Sequence, residues 1–110
     1  FGAHSVGFTL QTGTGDGTTT IDWTAGVKYQ FTHGDMAETF TFDPAPTNPC
    51  NLTLEILEDG NGSHDCTWPE AVTWLGAEPT WTDGAAGKTI VVCFWYNGTT
   101  YWGQGTPWEE

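Results

Sequence analysis

Cys66-Thr67-Trp68-Pro69-Glu70-Ala71-Val72-Thr73-Trp74-Leu75-Gly76-Ala77-Glu78-Pro79-Thr80-Trp81 is the segment around which the chain organises itself. It holds three of the seven Trp, spaced by Pro and Gly. A helix of useful length is excluded over Trp68 to Trp74, because Pro69 lacks an N–H and confines the residue before it to extended geometry. Gly76 and Pro79 punctuate the far end. Large rings on an irregular, Pro-bounded path predict a loop that lies across a sheet and closes its core. Trp68, Pro69, Trp74 and Leu75 are the predicted closing residues.

The runs on either side read as strands. Downstream, Lys88 to Tyr96 is apolar nearly throughout, which predicts a strand buried on both faces. Asn97-Gly98 is a hairpin signal, since type I′ turns need positive φ at both central residues. Thr99 to Gly103 returns. Upstream, Asn51 to Leu57 alternates, with Leu52, Leu54 and Ile56 on one face. Asn61-Gly62 predicts a second hairpin, with Asp65 to Trp68 as its return strand. Asp43 to Pro49 holds three prolines, a stiff connector suited to a crossing between sheets. Glu38 to Phe42 and Val27 to Thr32 alternate as half-buried antiparallel strands joined by a turn at His33-Gly34-Asp35. Thr18 to Ile21 is β-branched and strand-forming, and Thr20-Ile21-Asp22-Trp23 flanks the Thr24-Ala25-Gly26 break before the next strand. Val6 to Leu10 reads as a short strand, and Gly13-Thr14-Gly15-Asp16-Gly17 as a flexible turn. That Gly-rich turn lacks the following helix and Lys that a phosphate cradle needs.

Short strands with turns between them, and no amphipathic helical pattern, predict an all-β chain: a single antiparallel β-sandwich or jelly-roll-like domain. The expected divisions are residues 1–19 as lead-in and first strand, 20–103 as the sandwich module and 104–110 as a tail. A length of 110 residues fits one domain.

The net charge is −12, with Lys28 and Lys88 as the only basic side chains. Binding to DNA or RNA requires clustered Lys and Arg to neutralise phosphates, so no nucleic-acid partner is expected. Anionic membrane surfaces are disfavoured on the same ground. No apolar run approaches the roughly 20 residues of a membrane helix, so no membrane insertion by a helix is expected. The chain opens at Phe1 without a leader pattern, which suggests a processed product or a piece of a longer protein.

Cys50, Cys66 and Cys93 are an odd set. One intrachain disulfide at most can form, and buried thiols acting as small hydrophobes are the favoured reading. No Cys-x-x-Cys spacing supports zinc, and no cofactor or metal is expected.

Several constellations have plainer explanations. Asp59, Asn61, Ser63, Asp65 and Glu70 resemble part of a calcium loop, but His64 stands where the turn glycine belongs, and a polar hairpin tip accounts for them. His4, His33 and His64 lie in separate turns, which suggests surface positions. Glu55 with Glu58, or Asp16 with Asp22, would supply the carboxylate pair of a glycoside hydrolase. Such pairs arise by chance in so acidic a chain, and no catalytic residue is assigned. Asn51-Leu52-Thr53, Asn61-Gly62-Ser63 and Asn97-Gly98-Thr99 match the N-glycosylation pattern, though turn chemistry explains the last two. Seven Trp are hard to bury in one small core. Trp81, Trp102, Trp108 and Tyr101 are therefore candidates for an oligomer interface or a glycan-stacking platform, with interface packing favoured.

From Thr20 to Gly103 the chain resembles a module of tailed-bacteriophage virion structural proteins, found in tail fibres, head fibres and decoration proteins. The resemblance rests on Ile21-Asp22-Trp23-Thr24-Ala25-Gly26, Thr39-Phe40-Thr41-Phe42, the Pro-rich connector, Cys50-Asn51-Leu52-Thr53-Leu54, and Thr67-Trp68-Pro69 with Val72 and Trp74. It closes on Phe94-Trp95-Tyr96-Asn97-Gly98-Thr99-Thr100-Tyr101-Trp102-Gly103. It implies a virion component with no catalytic residue, other virion proteins as partners, a homotrimer, and host attachment through a surface glycan. The alternative from a different class is a carbohydrate-binding module using exposed aromatic residues.

Overall fold

A computed structural model of the chain describes residues 10–58, 65–76, 78–79 and 87–105. Among the described residues every regular element is a β-strand: β1 (Leu10–Thr14), β2 (Thr18–Ile21), β3 (Lys28–Thr32), β4 (Glu38–Phe42), β5 (Cys50–Leu57), β6 (Cys66–Thr67), β7 (Val72–Trp74), β8 (Thr89–Tyr96) and β9 (Tyr101–Gly105). They form a six-stranded sheet in the order β1-β3-β5-β8-β9-β7 and a three-stranded sheet in the order β2-β4-β6. The all-β class follows from β-branched and aromatic residues placed in alternation, which fit a half-buried pleated surface.

The antiparallel expectation is corrected by the pairing. The small sheet is parallel throughout. In the large sheet β1–β3, β3–β5 and β7–β9 are parallel, while β5–β8 and β8–β9 are antiparallel. The reason lies in how the chain travels. From β1 to β7 each successive strand belongs to the other sheet. Through β6 a strand therefore does not double back beside its predecessor; it returns one layer later, alongside the strand two before it and in the same direction, whereas β7 goes to the far edge beside β9.

No hairpin forms at His33-Gly34-Asp35, because β3 and β4 lie in different sheets. Likewise β5 and β6 are not hairpin partners; Asn61 and Gly62 themselves lie outside the described residues. The Pro-rich connector takes the chain from β4 in the small sheet to β5 in the large one.

Close contact at the corners demands glycine. A Cβ on Gly34 would lie 2.5 Å from the Gly15 carbonyl oxygen, and one on Gly15 would lie 2.7 Å from the Gly34 nitrogen. Successive corners thus stack backbone on backbone. Gly13 is not part of a turn as expected. It is a β1 residue covered by the Tyr29 ring, which would collide with any Cβ there.

Inward side chains of both sheets meet in one aromatic core. Phe31 on β3 meets Phe40 on β4 edge-on at 4.9 Å, and Phe42 meets Phe94 at 5.2 Å. Burying a ring of this size stabilises the fold by about 1.5–3 kcal/mol. The described stretch from Cys66 to Gly76 is less irregular than the prolines of this segment suggest. Cys66 and Thr67 pair with β4, Trp68 drops into the core, and the Pro69 carbonyl accepts from Val72 N–H at 3.1 Å. Val72 to Trp74 then joins the large sheet beside β9. Trp68 stacks on Phe40 at 5.3 Å and meets Trp74 edge-on at 5.2 Å, so it touches rings from both sheets. Gly103 lies under Trp74, where a Cβ would stand 2.7 Å from the indole.

β8 is corrected as well. It is buried on one face only: Ile90, Val92, Phe94 and Tyr96 point inward, while Cys93 and Trp95 are exposed. No described element covers the outer face of the large sheet.

Candidate functional site

The period of two places Asn51 and Thr53 on the outer face of β5, Cys93 and Trp95 on that of β8, and Trp102 and Gln104 on that of β9. Register sets them in two cross-strand rows. Asn51 opposes Trp95, which opposes Trp102; Thr53 opposes Cys93, which opposes Gln104. Directly opposed residues in antiparallel pairs bring their Cβ atoms to roughly 4.5–5.5 Å. The two indoles are therefore neighbours on one surface. With Leu75 at its margin this surface forms a shallow groove of about 240 Å³. Trp95 is 46 % exposed and Leu75 51 %. None of the described lining residues is charged. The nearest cation is Lys28, whose Nζ donates to Thr53 Oγ1 at 3.0 Å.

The predicted aromatic candidates separate. Trp102 is half-buried and lines the groove. Tyr101 does not reach the surface. It is 4 % exposed, with its ring 4.6 Å from Tyr96 and 5.2 Å from Phe42, because alternation turns it opposite to Trp102. Burial, followed by the neighbouring Tyr96, pushes its hydroxyl up to about 12. Trp81 and Trp108 lie outside the described residues. Of the core-closing set, Trp68 is buried, and Trp74 is half-buried and packed against the core. Pro69 is half-buried and shapes the turn. Leu75 is a correction: it is one residue past Trp74, so the same alternation points it to the groove rather than the core.

Sequence reasoning missed Trp95, taking a run of apolar residues as buried on both faces. The hairpin signal alone would not have found it: a two-residue Asn97-Gly98 turn would pair Tyr96 with Thr99, whereas the loop spans Asn97 to Thr100 and pairs Tyr96 with Tyr101, which sets Trp95 opposite Trp102.

The proposed titratable sites are taken up structurally. His33 is buried at 2 % exposure, not on the surface. Its ring meets Phe31 edge-on at 5.1 Å, and its Nε2 lies 3.5 Å from Cys66 Sγ. Burial, with Glu58, Glu38 and Asp65 nearby, pushes the Cys66 thiol well above its ordinary range, so it stays protonated and weakly nucleophilic at neutral pH. Buried Glu38 accepts from Gly17 N–H at 2.8 Å and Thr19 Oγ1–H at 2.5 Å. Its role is to join the β1–β2 corner to β4.

The carboxylate pairs do not assemble. Glu55 faces outward and accepts from Gln30 Nε2 at 2.7 Å, whereas Glu58 is buried. Asp16 and Asp22 cap separate turns through Thr18 N–H and Thr24 N–H. Residues 59–64, including His64 and most of the calcium-like loop, are outside the described set, as is His4. All three cysteines are free thiols, and Cys93 is exposed rather than buried.

The chain matches no protein-family model, no curated protein and no solved structure.

Proposed function

We propose that the chain is a structural module of a tailed-bacteriophage particle, a tail-fibre, capsid-fibre or decoration element, acting by contact and not by catalysis. We read its two packed sheets as a single β-sandwich assembled into a homotrimer. One observation carries this reading. β1 ends the large sheet and β2 ends the small one at the same end of the molecule, and among the described residues neither outer edge is paired. Unpaired edges are templates for another chain. Leu10 on β1 is 51 % exposed, and Met36, 47 % exposed, sits against the turn at Gly17. Sister copies arranged about a symmetry axis would cover this end. The resemblance carried by Thr67-Trp68-Pro69 and the strands around it supports the virion context, and the net charge of −12 favours solubility of crowded copies.

Size-exclusion chromatography with light scattering tests the assembly. The expected mass is that of three chains. Leu10→Glu combined with Met36→Glu changes only exposed side chains and is expected to release single chains that keep the wild-type circular dichroism. A single-chain mass for the wild type at high concentration would overturn the proposal.

A further inference from the structure

The groove on the outer sheet face is separate from the end where copies are proposed to meet. Three strand spacings, roughly 14 Å, lie between β1 and β8. Its chemistry is selective. Two adjacent indoles offer a broad apolar surface with negative π faces. Asn51, Thr53 and Gln104 surround them with amide and hydroxyl groups that both donate and accept hydrogen bonds. Lys28 already donates to Thr53 Oγ1, which leaves the Thr53 hydroxyl hydrogen available to an incoming acceptor.

The occupant must suit these features together. A chain of net charge −12 with no basic side chain lining the groove repels phosphates, sulfates and carboxylates. A volume of about 240 Å³ is below the roughly 300–1,000 Å³ of pockets that enclose drug-sized ligands, so the ligand lies flat with one side in water. A dry protein surface pressed on the groove would have to satisfy three uncharged polar side chains at once. A sugar brings C–H bonds on one ring face for the indoles and hydroxyls at its rim for the amides. We infer that this groove binds a neutral carbohydrate, with a pyranose ring stacked on Trp95 and Trp102 and its hydroxyls held by Asn51, Thr53 and Gln104.

Cys93, exposed between Thr53 and Gln104, provides a reporter inside the site. The test titrates the intact chain with neutral hexasaccharides of glucose, galactose, mannose, rhamnose and N-acetylglucosamine, with heparin as the anionic control. Binding is read by tryptophan fluorescence and calorimetry. At least one neutral probe is expected to bind and to slow maleimide labelling of Cys93. Trp95→Ala and Trp102→Ala should each weaken binding at least tenfold, and Trp95→Phe much less. Circular dichroism and the light-scattering mass should stay at wild-type values, and Gln104→Ala gives a second variant that leaves the rings in place.

No binding across the neutral panel, preference for heparin, or affinity unchanged in both Trp→Ala variants overturns the inference. So does a fall in assembly mass with Trp95→Ala, which would assign the face to a sister copy. A trimer that ignores every sugar removes this site and leaves the assembly reading intact; a single chain that binds sugar does the reverse.

Discussion

The wound part of the molecule, β1 to β6, and the hairpin part, β7 to β9, are held together by different means. In the wound part each strand's neighbour is supplied by an earlier or later pass of the chain, and corners such as Gly15 on Gly34 stack without side chains between them. Buried Glu38 ties one corner to the next pass through Gly17 and Thr19. The hairpin between β8 and β9 needs only local chemistry. Gly98 holds φ at +101°, and Asn97 Oδ1 accepts from Thr99 N–H at 2.9 Å and Thr100 N–H at 2.8 Å. Turn residues thus specify a partner only when that partner comes next in sequence.

The largest expected effect is at Trp68, which bridges the two parts across the core, in addition to the β5–β8 ladder that joins them within the large sheet. Its ring contacts Phe40 of the wound part and both Trp74 and Phe94 of the other. Trp68→Ala is expected to destabilise by about 3–5 kcal/mol in urea unfolding, with one cooperative transition. Two separated transitions would show that the parts are independent. In the wound part, Glu38→Ala leaves Gly17 N–H and Thr19 Oγ1 without their acceptor and should cost about 2 kcal/mol. Hydrogen exchange should rise at β2 and β4 and stay unchanged at the β8–β9 hairpin.

The reciprocal change is Gly98→Ala, which forces a side chain into the left-handed region and should cost about 1 kcal/mol, with exchange rising first at β8 and β9. The smallest effect is a pH dependence at the start of the β2–β3 connection. The Thr24 hydroxyl, and then its N–H, hold the Asp22 carboxyl below its ordinary 3.8. A carboxyl lowered on folding contributes stability above its unfolded pKa and loses it as pH falls through the folded value. The melting temperatures of wild type and Asp22→Asn should therefore differ near neutral pH and draw together below pH 3.8.

Which residues point inward was largely legible. Leu52, Leu54 and Ile56, or Phe40 with its neighbours, are set by a period of two that needs no knowledge of the partner strand. Which strands lie side by side was not. The turn at His33-Gly34-Asp35 reads the same whether the chain doubles back within a sheet or steps across the core, and only the global winding decides between them. The groove was half legible. Trp102 stood out beside a hairpin signal, whereas Trp95 was hidden in an apolar run whose outer face has no described cover. Tyr101 was misplaced by one step of the same alternation.

The winding has a consequence for how the molecule comes into being. Strands that touch in the first passes are about twenty residues apart along the chain, so each such ladder must close a long loop before its first bond forms. The β8–β9 ribbon carries a far smaller entropic penalty and is placed to form early, offering an edge onto which β5 and then the earlier passes can be laid. A protein assembled in that order acquires its first strands last, and refolding should be slow for its size.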